Sequence, residues 1–263
     1  MKHKAKITAM RTSLATIVAF FFTAANSQGY SPSRIFAHND YVQSQPFYTA
    51  YNLRVGFIEA DVFLIGGDLL VAHHRNETDA RRTLAALYLE PLSKQVAENR
   101  GSVYEDPGSH LTLMIDLKTE GTATLDNIVG LLQEYPSLLA CSTLHFMISG
   151  NVPPPGKWTD YPSFISIDGR PAIPYTGEQL KRIVMISTNF RDHVNWDGKS
   201  KLSGEAMKKI KMLVDEVHAK GKRIRFWATP DFESAWKQQM DLNFDVIVTD
   251  DVTGLEAFIA SQK

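Results

Sequence analysis

Cysteine is almost absent from the chain: Cys141 is the only one in 263 residues. A lone cysteine excludes an intrachain disulfide, so the fold must rest on a hydrophobic core large enough to need no staples. A single domain of roughly 235 residues meets that condition. No cysteine follows the apolar run near the N-terminus, which excludes lipid attachment there. No internal repeat is visible. Long hydrophobic runs are scarce as well. The one that stands out, residues 14–25 with Phe20, Phe21 and Phe22 inside it, is shorter than the roughly 20 residues a membrane helix needs. Lys2, Lys4, Lys6 and Arg11 precede it, and Ala24, Ala25, Asn26, Ser27 and Gln28 follow. That order is the order of a secretory signal peptide. Residues 1–27 are therefore expected to be a cleaved leader, residues 28–263 one domain, and the product secreted or periplasmic. A strong charge of either sign is also missing. Four of the 28 basic residues lie in the leader, which leaves 24 against 29 acidic ones, a net charge of about −5. That balance argues against a nucleic-acid partner.

What is present is organised around residues 56–74. Ile58, Ala60 and Val62 alternate with Glu59 and Asp61, Gly66, Gly67 and Asp68 form a turn signal, and residues 69–72 return. The pattern reads as a strand and hairpin. Residues two apart in a strand share a face, so Glu59 and Asp61 point the same way. Two carboxylates side by side repel unless a positive charge lies between them, and a hard divalent cation is the simplest candidate. His73, beyond the hairpin, is placed to carry a proton.

Other strands are expected near residues 35, 114, 145, 165, 185, 225 and 247, the run at 111–117 being continuously apolar. Helical spacing appears over 46–52, over 78–97 with Pro91 interrupting it, and over 124–132, 175–182, 204–219, 231–240 and 253–260. The clearest helix, 204–219, has Met207, Ile210, Leu213, Val214 and Val217 on one face and Gly221 at its C-cap position. Eight strands alternating with helices predict an α/β fold, a (β/α)8 barrel. It should be irregular at its fourth unit, where a loop stands in place of a helix; an open doubly wound sheet is the alternative.

Barrel chemistry lies at the C-terminal strand ends. His38 ends the first strand, Asp116 and Lys118 the third, Trp227 the seventh, and Asp250 and Asp251 the eighth. Charged residues at same-face positions in otherwise apolar strands must be paired to be tolerated. A cluster of Glu59, Asp61, Asp116, Lys118 and a cation would pair them. Three carboxylates holding Mg2+ or Ca2+, a lysine, and two histidines on opposite sides suit attack on a phosphodiester.

Taken together, His38, the Glu59-x-Asp61 pair, His73, the Asp116-x-Lys118 pair, Trp227 and the VTDD ending resemble the PLC-like phosphodiesterase superfamily. This group includes glycerophosphodiester phosphodiesterases and phosphatidylinositol-specific phospholipases C. The AHNDY, EADV, LLVAHH and LYLEPL stretches are similar to the branch named for altered inheritance of mitochondria protein 6. The resemblance implies a (β/α)8 barrel with His38 and His73 catalytic and with Glu59, Asp61 and Asp116 binding Mg2+ or Ca2+. It also implies Lys118 and Trp227 at the substrate. The chain departs from the glycerophosphodiesterase pattern in three places. Asn39 stands where arginine usually follows the first histidine, no Pro-Glu-Asn-Thr motif precedes Gly56, and His74 stands where an aspartate usually follows the second histidine. The departures bear on glycerophosphodiester specificity rather than on phosphodiester chemistry, and Asn39 is a candidate substitute contact with substrate.

The expected substrate is a small-molecule or lipid phosphodiester. A transient membrane-surface contact fits such a substrate, and no stable protein partner is implied. The rival readings are a glycoside hydrolase on the same barrel and a secreted ligand-binding barrel without turnover.

Overall fold

The computed structural model describes residues 29–262, so the leader expected over residues 1–27 lies outside the described residues. Eight parallel strands follow the expected order: β1 (Ile35–Ala37), β2 (Phe57–Ile65), β4 (Leu111–Leu117), β5 (Leu144–Gly150), β6 (Ile165–Gly169), β7 (Ile183–Asn189), β8 (Arg223–Trp227) and β9 (Ile247–Thr249). The short strand β3 (Asp68–Val71) pairs antiparallel with the far end of β2. The parallel strands run in the order β8-β7-β6-β5-β4-β2-β1-β9. No ladder joins β8 to β9 among the described residues, so the barrel is nearly closed.

The helices are α1 (Tyr48–Asn52), α2 (Glu90–Glu98), α3 (Gly121–Gln133), α4 (Pro136–Ala140), α5 (Gly177–Arg182), α6 (Gly204–Ala219), α7 (Glu233–Asp241) and α8 (Val252–Ser261). The expected irregularity is present. Between β5 and β6 the chain makes only a 3-10 segment, Pro155–Asp160, fixed by the buried Trp158, whose Nε1 donates to the Pro153 carbonyl at 2.8 Å.

Two expectations are corrected. The helix predicted over 78–97 begins later, because Thr83 bridges to Leu70 and the Val71 amide donates to the Arg82 carbonyl, which keeps residues 82–83 extended. Nor does Pro91 interrupt it. A π-turn at Ala85–Leu89 leads directly into α2. The wider turn accommodates a residue that has no N–H to give and whose ring crowds the preceding turn. Helix α6 has the predicted limits and buries Ile210, Val214 and Val217, while Met207 in its first turn stays exposed. Its end is a Schellman motif: Gly221, at φ +67°, donates to the His218 carbonyl and Lys222 to the Val217 carbonyl.

Two apolar groups hold the barrel. The larger packs the outer strand faces against the helices; the smaller, Phe36, Phe57, Met114, Met147, Met185, Val246 and Val248, fills the barrel interior. Each such large side chain contributes about 1.5–3 kcal/mol on burial. Going along the strands toward their C-terminal ends, the inward positions turn polar. Phe57 gives way to Glu59 and Asp61, Met114 to Asp116, and Met147 to Ser149. The interior thus has an apolar floor and a charged mouth.

Candidate active site

The strand register builds the mouth. Asp61 on β2 is the direct partner of Asp116 on β4, and Asp116 of Ser149 on β5. Glu59 precedes Asp61 on the same face. Glu59, Asp61 and Asp116 each present an oxygen within 4.8 Å of the others. Glu59 and Asp61 are buried, Asp116 nearly so. Hydrophobic alternation explains how these acids come inside: the outward positions Ile58, Ala60 and Val62 are fully buried against the helices, which forces the intervening residues inward.

The only lysine at this cluster among the described residues is Lys118, with its ammonium 3.0 Å from both Asp61 and Asp116. Burial pushes the Glu59 carboxyl above its ordinary pKa against the opposing charges of His38 and Arg225. Burial likewise raises Asp116 in spite of Lys118. Burial pulls Lys118 down, but Asp116 and Asp61 outweigh it and the net shift is upward. Three converging, largely desolvated carboxylates with one ammonium among them form a hard-oxygen donor set. They fit a divalent cation of the Mg2+ or Ca2+ type.

A histidine stands on each side of the acids. His38 Nε2 lies 3.5 Å from Glu59, and its Nδ1 bonds Asp250 at 2.8 Å. Burial lowers His38, yet the bond to Asp250 and the charge of Glu59 outweigh it, so its pKa is raised. His73, carried past the end of β3, has Nδ1 3.5 Å from Asp61. The Tyr41 hydroxyl joins the two sides: it is 2.8 Å from Asp61, 3.2 Å from His73 Nδ1 and 2.7 Å from the Asn39 side chain. The hairpin that delivers His73 turns through Gly66 and Gly67, at φ +63° and +99°. Both central positions of this tight turn need positive φ, which glycine adopts without strain.

A cavity of about 220 Å3 opens beside the cluster, lined by His38, Glu59, Asp116, Lys118, Ser149, Arg170, Arg225 and Trp227. Larger cavities of about 600 and 730 Å3 lie elsewhere, away from the acid cluster. Trp227 stands at the rim, partly exposed. His73 faces a neighbouring cavity of about 250 Å3 with Tyr41 and Arg82. Asn39, in the left-handed region at φ 48°, does not line the 220 Å3 cavity. Its amide nitrogen is 2.9 Å from His38 Nδ1 and 3.2 Å from Asp250, and its backbone N–H donates to Glu59 at 3.2 Å. His74 is exposed, and its backbone N–H donates to Glu77.

The structure thus brings His38, Glu59, Asp61, Asp116, Lys118 and Trp227 to one end of the barrel, with His73 beside them. Sequence reasoning did not assign Tyr41, Ser149, Asp168, Arg170 and Arg225, and it left Asp250 without a role. The alternating charges Asp168 in β6 and Arg170 just after it, and Arg223 and Arg225 on β8, were the available signal.

Residues 25–137 match the AIM6-like phosphodiesterase domain. The match takes in His38, Glu59, Asp61, His73, Asp116 and Lys118 and stops before Trp227. The altered inheritance of mitochondria protein 6 homolog of Arthroderma benhamiae is 34% identical over 125 residues, 41% of this chain. That stretch spans only 40% of the relative's length. Altered inheritance of mitochondria protein 6 of Eremothecium gossypii is 24% identical over 271 residues, covering 86% of this chain and 69% of its own. A crystal structure of a glycerophosphodiester phosphodiesterase from Parabacteroides distasonis superposes with a TM-score of 0.55 at 12% identity. The superposition covers 89% of this chain and 99% of that one, so the two share the barrel fold.

Proposed function

We propose that the chain is a metal-dependent phosphodiesterase that cleaves a phospholipid head-group diester or a glycerophosphodiester. The observation that carries this reading is the convergence of Glu59, Asp61 and Asp116 between His38 and His73 at the C-terminal end of the barrel. Glu59, Asp61 and Asp116 would hold Mg2+ or Ca2+. When bound, the cation supplies a Lewis acid and a fixed positive charge for a phosphoryl oxygen. The chain's own groups do the rest. One histidine takes the proton of the attacking hydroxyl and the other returns a proton to the leaving oxygen. Asp250 orients the His38 ring, and Tyr41 with Asp61 orients that of His73. Lys118 offers a positive charge to the phosphate, and Trp227 covers the cavity mouth with an apolar face. The match to a phosphodiesterase domain over residues 25–137 supports the reaction class.

The charged, apolar, small-residue order of residues 1–27 supports a secreted or periplasmic location. No helix among the described residues is long and apolar enough to cross a membrane. We assign a small-molecule or lipid diester as the partner, met in passing at a membrane surface when it is a lipid.

The test is 31P NMR of residues 28–263 with glycerophosphodiesters, lysophospholipids and phosphatidylinositol, in Mg2+, in Ca2+ and in EDTA. New phosphate resonances should appear only with the cation. They should fall by about 10^2 to 10^4 in rate in H38A, the usual worth of a proton-transfer residue. A cyclic phosphate signal would mark attack by a substrate hydroxyl. Turnover that survives both EDTA and the double His38, His73 substitution would sink the mechanism.

A further inference from the structure

We propose that Arg225 is a further anion contact of this site beside Lys118, its free guanidinium nitrogen receiving a non-bridging oxygen of the substrate's phosphate. The inference deepens the phosphodiesterase reading and rests on it for the identity of the anion. Arg225 sits on β8, faces the barrel interior and is only 4% exposed. Its Nε donates to Ser187 Oγ at 2.9 Å and its Nη2 to Asp168 Oδ2 at 3.4 Å. Nη1 has no hydrogen-bond partner and lies 3.9 Å from Glu59 Oε1. Buried donors are nearly always satisfied, and charged ones most of all. A guanidinium nitrogen left over beside a cluster of carboxylates, in a residue that lines the cavity, is a place prepared for an oxyanion.

The surroundings hold that nitrogen in position. The guanidinium lies over the Phe36 ring at 4.4 Å, which fixes its plane from below. Asp168, fully buried, accepts from Ser149 Oγ at 2.9 Å, from Ser187 Oγ and from Arg170 Nη1 at 2.8 Å as well as from Arg225. With so many donors on it, Asp168 cannot follow Arg225 if the side chain turns away. Asp168 is therefore a positioning residue. The other cations at the cavity are already engaged. The Lys118 ammonium is shared between Asp61 and Asp116, and both terminal nitrogens of Arg170 are bonded, to Asp168 and to Ser149. Arg225 alone among these three keeps a terminal nitrogen unused.

Inorganic phosphate and glycerol 3-phosphate share the chemistry in question and serve as probes. Each is titrated calorimetrically into residues 28–263 in Mg2+ and in EDTA, while a 15N spectrum follows the Arg225 Nε–H signal, assigned by its disappearance in R225K. R225K keeps a positive charge beside Asp168, so the fold survives; its melting temperature checks this. Phosphate should move the Arg225 signal of the unmodified protein, and R225K should bind phosphate about 10-fold more weakly or worse, a loss of about 1.4 kcal/mol. Tighter binding of glycerol 3-phosphate than of phosphate would support an organic phosphate as the natural occupant. Equal affinity in R225K, an Arg225 signal that does not move, or no phosphate binding in either condition overturns the assignment. Binding through Arg225 without turnover of any diester would leave the anion site standing and remove the enzyme reading. Turnover with R225K unimpaired would do the reverse.

Discussion

Asp40 illustrates what a single buried carboxyl does to this protein. It follows His38 and Asn39 in the chain, is wholly buried, and accepts from the Phe47 amide at 2.6 Å and the Tyr88 hydroxyl at 3.0 Å through one oxygen. Its other oxygen, Oδ1, has no partner. Burial outweighs the two hydrogen bonds and raises its pKa from 3.8 to about 6. The sign follows from proton binding. The folded state holds this proton more tightly than the unfolded chain, so the contribution to stability is full below about pH 4. It is lost as pH rises through about 6, amounting to roughly 3 kcal/mol. An amide cannot ionise and keeps the acceptor toward Phe47 and Tyr88. D40N should therefore gain on the unmodified protein by that order between pH 4 and pH 7. Urea unfolding at both pH values checks it, and parallel pH dependences in the two proteins would refute the burial argument.

At the scale of elements, the site depends on how closely β4 and β5 lie together. Gly150 ends β5 in register with Leu117 and has φ +73°. A Cβ there would stand 2.4 Å from Asp116 Oδ1 and 2.6 Å from the Leu117 carbonyl. G150A combines a strained backbone with overpacking and should cost about 2–4 kcal/mol. It should also push Asp116 away from Asp61 and weaken cation binding. Thermal melting and calorimetric titration with Mg2+ and Ca2+ measure the two effects separately; a stable variant with unchanged cation affinity would show that Asp116 tolerates the shift. The same strand pairings explain what could be read in advance. Glu59, Asp61 and Asp116 stand out because each interrupts a strand whose other residues are apolar, a local pattern of period two. Gly66 and Gly67 announced the hairpin, and Gly221 the end of α6. Arg225 and Asp168 were not legible in the same way. Each shares a five-residue strand with a second polar side chain, Arg223 or Ser166, and their meaning lies in a pairing across 57 positions that only the fold supplies. Asp250 was visible as a charge, but its bond to His38 joins β1 to β9, the first and last strands of the barrel. The π-turn before Pro91 escaped notice because a proline in a helical pattern ordinarily signals a stop.

Across the whole molecule, the interior of the barrel is divided between an apolar floor and a mouth where like charges crowd together. Glu59, Asp61 and Asp116 converge within 4.8 Å, against one shared ammonium and an arginine 3.9 Å from Glu59. Desolvated acids so close together oppose folding unless a positive charge enters, because burial alone already raises Glu59 and Asp116. A divalent cation that binds the folded mouth and not the unfolded chain must then stabilise the whole domain by mass action. At a free concentration 100 times its dissociation constant the gain is about 2.7 kcal/mol. For a domain of this size that is a rise in melting temperature of roughly 5–10 °C. Since the ligands come from β2 and β4, at the centre of the ladder, the gain should appear in a single cooperative transition rather than as the stiffening of one loop. EDTA should reverse it, and D61N or D116N should abolish it while leaving the cation-free melting temperature equal or higher, since one repelling charge has gone. Differential scanning calorimetry with Mg2+, with Ca2+ and with EDTA decides the matter. A melting temperature indifferent to both cations would mean that Lys118 alone neutralises the cluster, and that the mouth is built as an ion-pair network rather than as a metal site.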